Sequence, residues 1–161
     1  MVIRKPVEKF ISEKTDLIDQ GDWDTVYTVF YGGYAEEECD IGNLTDVLIT
    51  AGIDPLEGKK SVHNYMYYQS EQSEVIIPEG ITEIGISAFS KTLDLRTIHI
   101  PKTVNRICLR AFWLSGLSPL PLTIIYSGTR EMWDNIIKTP NWDQESNLII
   151  RCLGDEKWSS Y

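Results

Sequence analysis

From residue 73 to residue 126, apolar and polar positions follow one short pattern that is written twice and begun a third time. The first copy runs Val75-Ile76-Ile77-Pro78-Glu79-Gly80-Ile81-Thr82-Glu83-Ile84-Gly85-Ile86-Ser87-Ala88-Phe89, and the second starts at Ile98-His99-Ile100-Pro101 and ends at Ala111-Phe112. Pro78 and Pro101, Ile84 and Ile107, Ala88 and Ala111, and Phe89 and Phe112 all stand 23 residues apart. A fixed period of this size marks a solenoid of stacked turns. Each copy opens with β-branched residues that predict a strand, and the proline, lacking an N–H, limits it to three or four residues. Ile81, Ile84 and Phe89, then Val104, Ile107 and Phe112, return apolar side chains to one interior line. A single copy cannot bury that face; stacked copies bury it against one another.

Upstream the period changes to that of helices. Val7, Phe10, Ile11, Leu17 and Ile18 predict a helix over residues 7–20 that stops at Gly21. Asp22 or Asp24 caps a second helix through Trp23, Val26, Tyr27 and Phe30, and Asn43 a third over residues 44–51, ending at Gly52. In the junction, Tyr65 to Tyr68 reads as the remnant of an earlier repeat. Met66 lies 23 residues before Phe89, and Tyr67 fits the phenylalanine place with a shift of one residue. After the repeats, residues 123–126 predict a strand and Thr129 an N-cap. The short helix that follows has Met132, Trp133, Ile136 and Ile137 as its apolar side and stops at Pro140; residues 148–152 make a last strand. The expected architecture is α+β, with an acidic helical domain over residues 1–60 as a small bundle. A short solenoid over residues 61–161 follows, its strands forming a narrow parallel sheet with both ends capped.

The string Ile-Pro-Glu-Gly-Ile-Thr-Glu-Ile-Gly-x-x-Ala-Phe, followed by Leu95-Arg96-Thr97-Ile98-His99-Ile100-Pro101, resembles the BspA-type leucine-rich repeats. The segment Tyr126-Ser127-Gly128-Thr129-Arg130-Glu131-Met132-Trp133 is similar to the one that often ends such arrays. The resemblance covers residues 73–155 well and residues 1–72 poorly. It departs from the pattern at Cys108, where the family usually has glycine, and at Ser118-Pro119-Leu120-Pro121, which lengthens a connection. Such repeats occur in bacterial surface proteins, protozoan proteins and phage-encoded proteins. The resemblance implies a non-catalytic protein-binding scaffold. Small acidic proteins that join a helical domain to these repeats resemble phage accessory proteins. That setting suggests an inhibitor of a host nucleic-acid enzyme with a basic channel, such as a CRISPR effector nuclease. A surface or adhesion fragment and a structural assembly protein are the alternatives.

Charge sharpens the partner. Residues 1–70 hold 6 Lys and Arg against 13 Asp and Glu, a net of −7, and residues 71–161 hold 9 against 11, a net of −2, which together give −9. An acidic first half argues against direct nucleic-acid binding, since phosphate contacts need a basic face, and favours a basic protein partner. The first six residues contain no apolar signal-like run, no apolar stretch reaches membrane-span length, and three cysteines without a CxxC spacing do not make a disulfide framework or a zinc site. A cytoplasmic protein is expected, with no membrane contact.

No GxGxxG, GxxxxGK[ST], HExxH or GxSxG string occurs. The run Glu36-Glu37-Glu38-Cys39-Asp40 lacks the spaced oxygens and turn glycine of a calcium loop, so no metal, cofactor or catalytic group is expected. The candidate partner-binding residues are Glu36, Glu37, Glu38 and Asp40, the tyrosines Tyr65, Tyr67 and Tyr68, and a strand face carrying Glu74, Ile76, Arg96, Thr97, His99 and Thr123.

Overall fold

A computed structural model describes residues 43–155, apart from 55, 118 and 119, together with Glu13. The helices expected over residues 7–20 and 22–33, the acidic run 36–40 and the tail after Asp155 lie outside the described residues, as does the Ser118-Pro119 step. The elements are α1 (Leu44–Thr50), β1 (Ser61–Val62), β2 (Glu74–Ile76), β3 (Glu83–Ile84), β4 (Thr97–Ile100), β5 (Arg106–Ile107), β6 (Leu122–Thr129), α2 (Arg130–Asp134), β7 (Ile137–Lys138) and β8 (Leu148–Leu153). They form a β-solenoid of about four turns. Each turn contributes one strand to each of two parallel four-stranded sheets, ordered β1-β3-β5-β7 and β2-β4-β6-β8.

The expectation of one narrow sheet is therefore corrected to two. Glu83–Ile84 and Arg106–Ile107 are too short to stand out as strands in the sequence. They pair because each turn must return its isoleucine to the core, and Ile84 and Ile107 have no exposed surface. Prolines limit β2 and β4 as anticipated. The position of β6 in register with Pro101 is Ser127, so β6 continues to Thr129 as an eight-residue strand. The Ser127 hydroxyl accepts from the Lys102 N–H at 2.8 Å.

Between the sheets each turn rounds a corner held by two residues of positive φ, four apart: Tyr65 and Gln69, Ser87 and Lys91, Arg110 and Leu114, Asn141 and Glu145. All are non-glycine residues in the left-handed region, which costs about 1–2 kcal/mol each. The stacking offsets that cost. At the first three corners, the N–H groups of Tyr67, Phe89 and Phe112 donate to carbonyls of the next turn at 2.7, 2.7 and 3.0 Å.

Inside these corners Tyr67, Phe89, Phe112 and Trp142 form a column. Centroids are 4.9, 5.3 and 6.0 Å apart; the first two contacts are parallel stacks and the last is edge-to-face. Such pairs add roughly 0.5–1.5 kcal/mol each beyond the area they bury. Tyr67, expected among outward rings, is only 4% exposed and takes the phenylalanine place, 22 residues before Phe89 rather than 23. It is removed from the candidate binding residues, and burial pushes its phenol pKa upward. Met66 falls instead at the position of Ala88 and Ala111, where α1 rather than another turn covers it.

The helix α1 closes the first turn. Asn43 is its N-cap, as read from the sequence, accepting from the Asp46 N–H at 2.9 Å. The Asn43 amide also donates to the Met66 and Tyr68 carbonyls, and the Thr45 hydroxyl to the Met66 carbonyl. Buried Asp46 accepts from the Ser70 hydroxyl at 2.7 Å, the Glu71 N–H at 2.8 Å and the Gln72 amide at 3.2 Å. A buried carboxylate is tolerated only with such donors. Of the bundle expected over residues 1–60, this cap is the part that the described residues contain.

At the other end the tyrosine–glycine–threonine segment has a steric reason. A Cβ on Gly128 would lie 2.5 Å from the Tyr126 ring, which is buried and edge-on to Trp133 at 5.3 Å. Thr129 caps α2 as anticipated, accepting from the Met132 N–H at 3.2 Å. The helix ends at Asp134, however, well before Pro140, and only Trp133 and Ile136 of its expected apolar side are buried. Met132 and Ile137 are exposed, because the chain leaves the helix to pair β7 with β5. That pairing sets Lys138 beside Ile107, on the column of buried isoleucines. Its ammonium donates to the Trp133 carbonyl at 2.7 Å and lies 4.9 Å from the Trp133 ring centroid. Burial lowers its pKa.

Gly85 and Cys108 are equivalent positions with different room. A Cβ on Gly85 would meet the Asn64 side-chain oxygen at 2.5 Å and backbone atoms of Val62 and Asn64 at 2.8 Å. Asn64 needs that place, since its side-chain oxygen accepts from the Ile86 N–H at 2.8 Å. Gly85→Ala is expected to lower unfolding free energy by about 1–3 kcal/mol. Cys108→Ala, which keeps the Cβ this position already accommodates and loses only the thiol's bond to Glu83, should cost about 1 kcal/mol or less; urea denaturation of the two variants checks the order.

Candidate protein-binding face

The longer sheet turns alternate side chains outward, which its parallel registers align in two rows. One row is Glu74, Thr97, Thr123 and Ile149; the other is Ile76, His99, Ile125 and Arg151. Five of the six residues expected on this face, Glu74, Ile76, Thr97, His99 and Thr123, stand in these rows. Arg96 precedes β4, and its guanidinium donates to the Leu93 and Leu95 carbonyls at 2.9 and 3.2 Å, which ties its charge to the corner. His99 Nε2 sits 3.2 Å from Glu74 Oε2, bridging the two rows.

The face is hydrogen-bonded along its strands and partly apolar. Ile76 is 66% exposed and Leu153 59% exposed, although both lie on hydrogen-bonded strands. Between them, Pro78, His99, Pro101, Ile125 and Ser127 line a shallow groove of about 440 Å³ that crosses three turns. A second groove of about 440 Å³ runs on the other side of Ile76, between β2 and the C-terminal end of α1 at Ile49 and Ile53. Ile76 borders both.

Ile125, Ile149, Arg151 and Leu153 were not anticipated on this face. The alternation along β6 and β8 carried the signal, but residues 148–152 read as a closing cap rather than a fourth rung.

The tyrosines form a separate patch at the corner. Tyr65 meets Tyr68 edge-to-face at 5.8 Å. The Lys91 ammonium lies 5.7 Å from the Tyr68 ring centroid and 5.3 Å from that of Trp113, and the Arg110 guanidinium covers Trp113 at 5.2 Å. This patch is not brought together with the strand face. Glu36, Glu37, Glu38 and Asp40 lie outside the described residues.

Two thiols are held protonated. Cys108 donates to Glu83 Oε1 at 3.2 Å, and burial followed by this carboxylate pushes its pKa up to about 11. Burial also raises that of Cys152. Among the described residues no group of three or more His, Cys, Asp or Glu is placed to hold a metal ion, and no helix is long and apolar enough to cross a membrane.

Compared with known protein families, residues 53–127 match the BspA type leucine rich repeat region in 6 copies. The matched stretch begins upstream of β1 and so includes the turn that the 23-residue period shows only as a remnant. No curated protein and no solved structure matches the chain.

Because the thiolate is the reactive form, Cys108 should alkylate slowly at neutral pH and faster as pH rises towards about 11. At pH 8 roughly one thiol in a thousand is ionised, against about one in four for an ordinary cysteine. Iodoacetamide labelling of a variant with Cys39 and Cys152 replaced by serine measures that gap.

Proposed function

We propose that this protein, whose residues 53–127 match the BspA type leucine rich repeat region, is a non-catalytic protein-interaction module whose binding surface is the outer face of β2-β4-β6-β8. The observation that carries this reading is the pair of strongly exposed aliphatic side chains, Ile76 and Leu153, flanking His99 over a groove on hydrogen-bonded parallel strands. An isolated exposed aliphatic residue is ordinary surface; several converging on one rigid groove suit a partner's apolar side chains. Rigid strands also lower the ordering cost of association. Glu74, His99 and Arg151 supply a polar rim that would orient the bound chain.

The acidic balance of residues 1–70 refines the partner: a protein with a basic surface, drawn in by long-range attraction. A nucleic-acid enzyme of a host cell, with its basic channel, is one such surface, and stoichiometric occupation of that channel would inhibit it without chemistry.

The two parts separate experimentally. Ile76→Asp and Leu153→Asp should each weaken capture of the protein retained by the wild type by about 30-fold, the effect of a hot-spot contact of about 2 kcal/mol, while Glu131→Ala on α2 leaves it unchanged. Equal retention by all three variants would remove the strand face from the reading. Reversing Glu36, Glu37, Glu38 and Asp40 to lysine should slow association and flatten its salt dependence; an unchanged salt slope would remove the basic-partner refinement alone.

A further inference from the structure

Among the described residues β8 is the outermost strand of its sheet, and its backbone alternates between two sides. Leu122 N–H donates to the Asn147 carbonyl at 3.0 Å, so the peptide groups of residues 147, 149 and 151 point towards β6. Those of Leu148, Ile150 and Cys152 point the other way, to the open edge. An open edge is a template for another strand, and natural sheets often blunt it with charge.

Two charged side chains reach this edge from different elements. Arg130, the first residue of α2, donates through Nη2 to the Ile150 carbonyl at 2.9 Å and to Asp155 Oδ2 at 2.7 Å. The same Asp155 oxygen accepts from the Cys152 N–H at 2.9 Å. One ion pair thus occupies an acceptor and a donor on the outward side of β8. On the face of the sheet, Ile149 and Leu153 are exposed beside this edge.

We propose that the Arg130–Asp155 pair guards β8 against a second copy of this chain, which would otherwise add its own β8 antiparallel across a two-fold axis. An antiparallel pairing of identical strands is self-complementary and closes after two copies. It would join the Ile149 and Leu153 surfaces of both chains into one apolar strip.

Asp155→Ala tests this, because Asp155 follows the last strand and its removal leaves the core intact. Sedimentation velocity over a concentration series should show a monomeric wild type and a dimerising variant. In the variant, the Leu148 and Ile150 amides should gain hydrogen-exchange protection as concentration rises. Arg130→Ala should reproduce the result, and where it fails to fold, Asp155→Ala decides alone. A variant that stays monomeric, one that dimerises with those two amides still unprotected, or a wild type already dimeric through β8 would overturn the proposal.

Discussion

Everything in this structure depends on hydrogen bonds that run from one turn to the next. Tyr67 N–H reaches the Ala88 carbonyl, Phe89 N–H that of Ala111, and Cys108 N–H that of Ile84. A turn on its own would leave these groups without partners and its isoleucines in water, so the stack forms as a whole. The same constraint explains the eight non-glycine residues held at positive φ among the described residues. Each is locally unfavourable, and each is held by ladders on both sides of the corner.

Stacking of this kind creates the problem of its own ends, and the chain meets it with apolar caps, Leu44, Leu48 and Leu56 at one end and Trp133 and Ile136 at the other, into which polar groups are set. At one end α1 covers Met66 and Tyr67 and sinks Asp46 among three donors. At the other, Lys138 stands where an isoleucine would complete the column and turns its ammonium to two carbonyls, while Arg130 and Asp155 reach the edge of β8. The wall between the ends is the surface proposed for binding. The ladders hold its strands together, and Ile76 and Leu153 stay exposed because nothing among the described residues covers them.

The period was legible because Pro78, Ala88 and Phe89 recur unchanged 23 residues later. The first turn was only half legible. There Tyr67 replaces phenylalanine, Met66 replaces alanine and the spacing falls to 22, since a turn covered by a helix has different room from one covered by a copy of itself. The fourth turn was less legible still. Trp142 follows Phe112 by 30 residues because α2 is inserted between, and Lys138 breaks the apolar pattern. Five residues of the strand face could be read from alternation along β2, β4 and β6. Ile125 on β6 carries the same alternation without having been singled out, and the rung on β8 was hidden because a last strand and a closing cap look alike in sequence. Backbone conformation was invisible: nothing about Ser87, Arg110 or Leu114 as residue types announces a left-handed corner.

The central claim is that the turns are mutually dependent, and native-state hydrogen exchange tests it most directly. The amides of Tyr67, Phe89 and Phe112, each bonded to a different neighbouring turn, should exchange with one common free energy equal to that of global unfolding. Exchange of Phe112 or Tyr67 several kcal/mol more readily than Phe89, through openings that leave the rest of the stack protected, would contradict it.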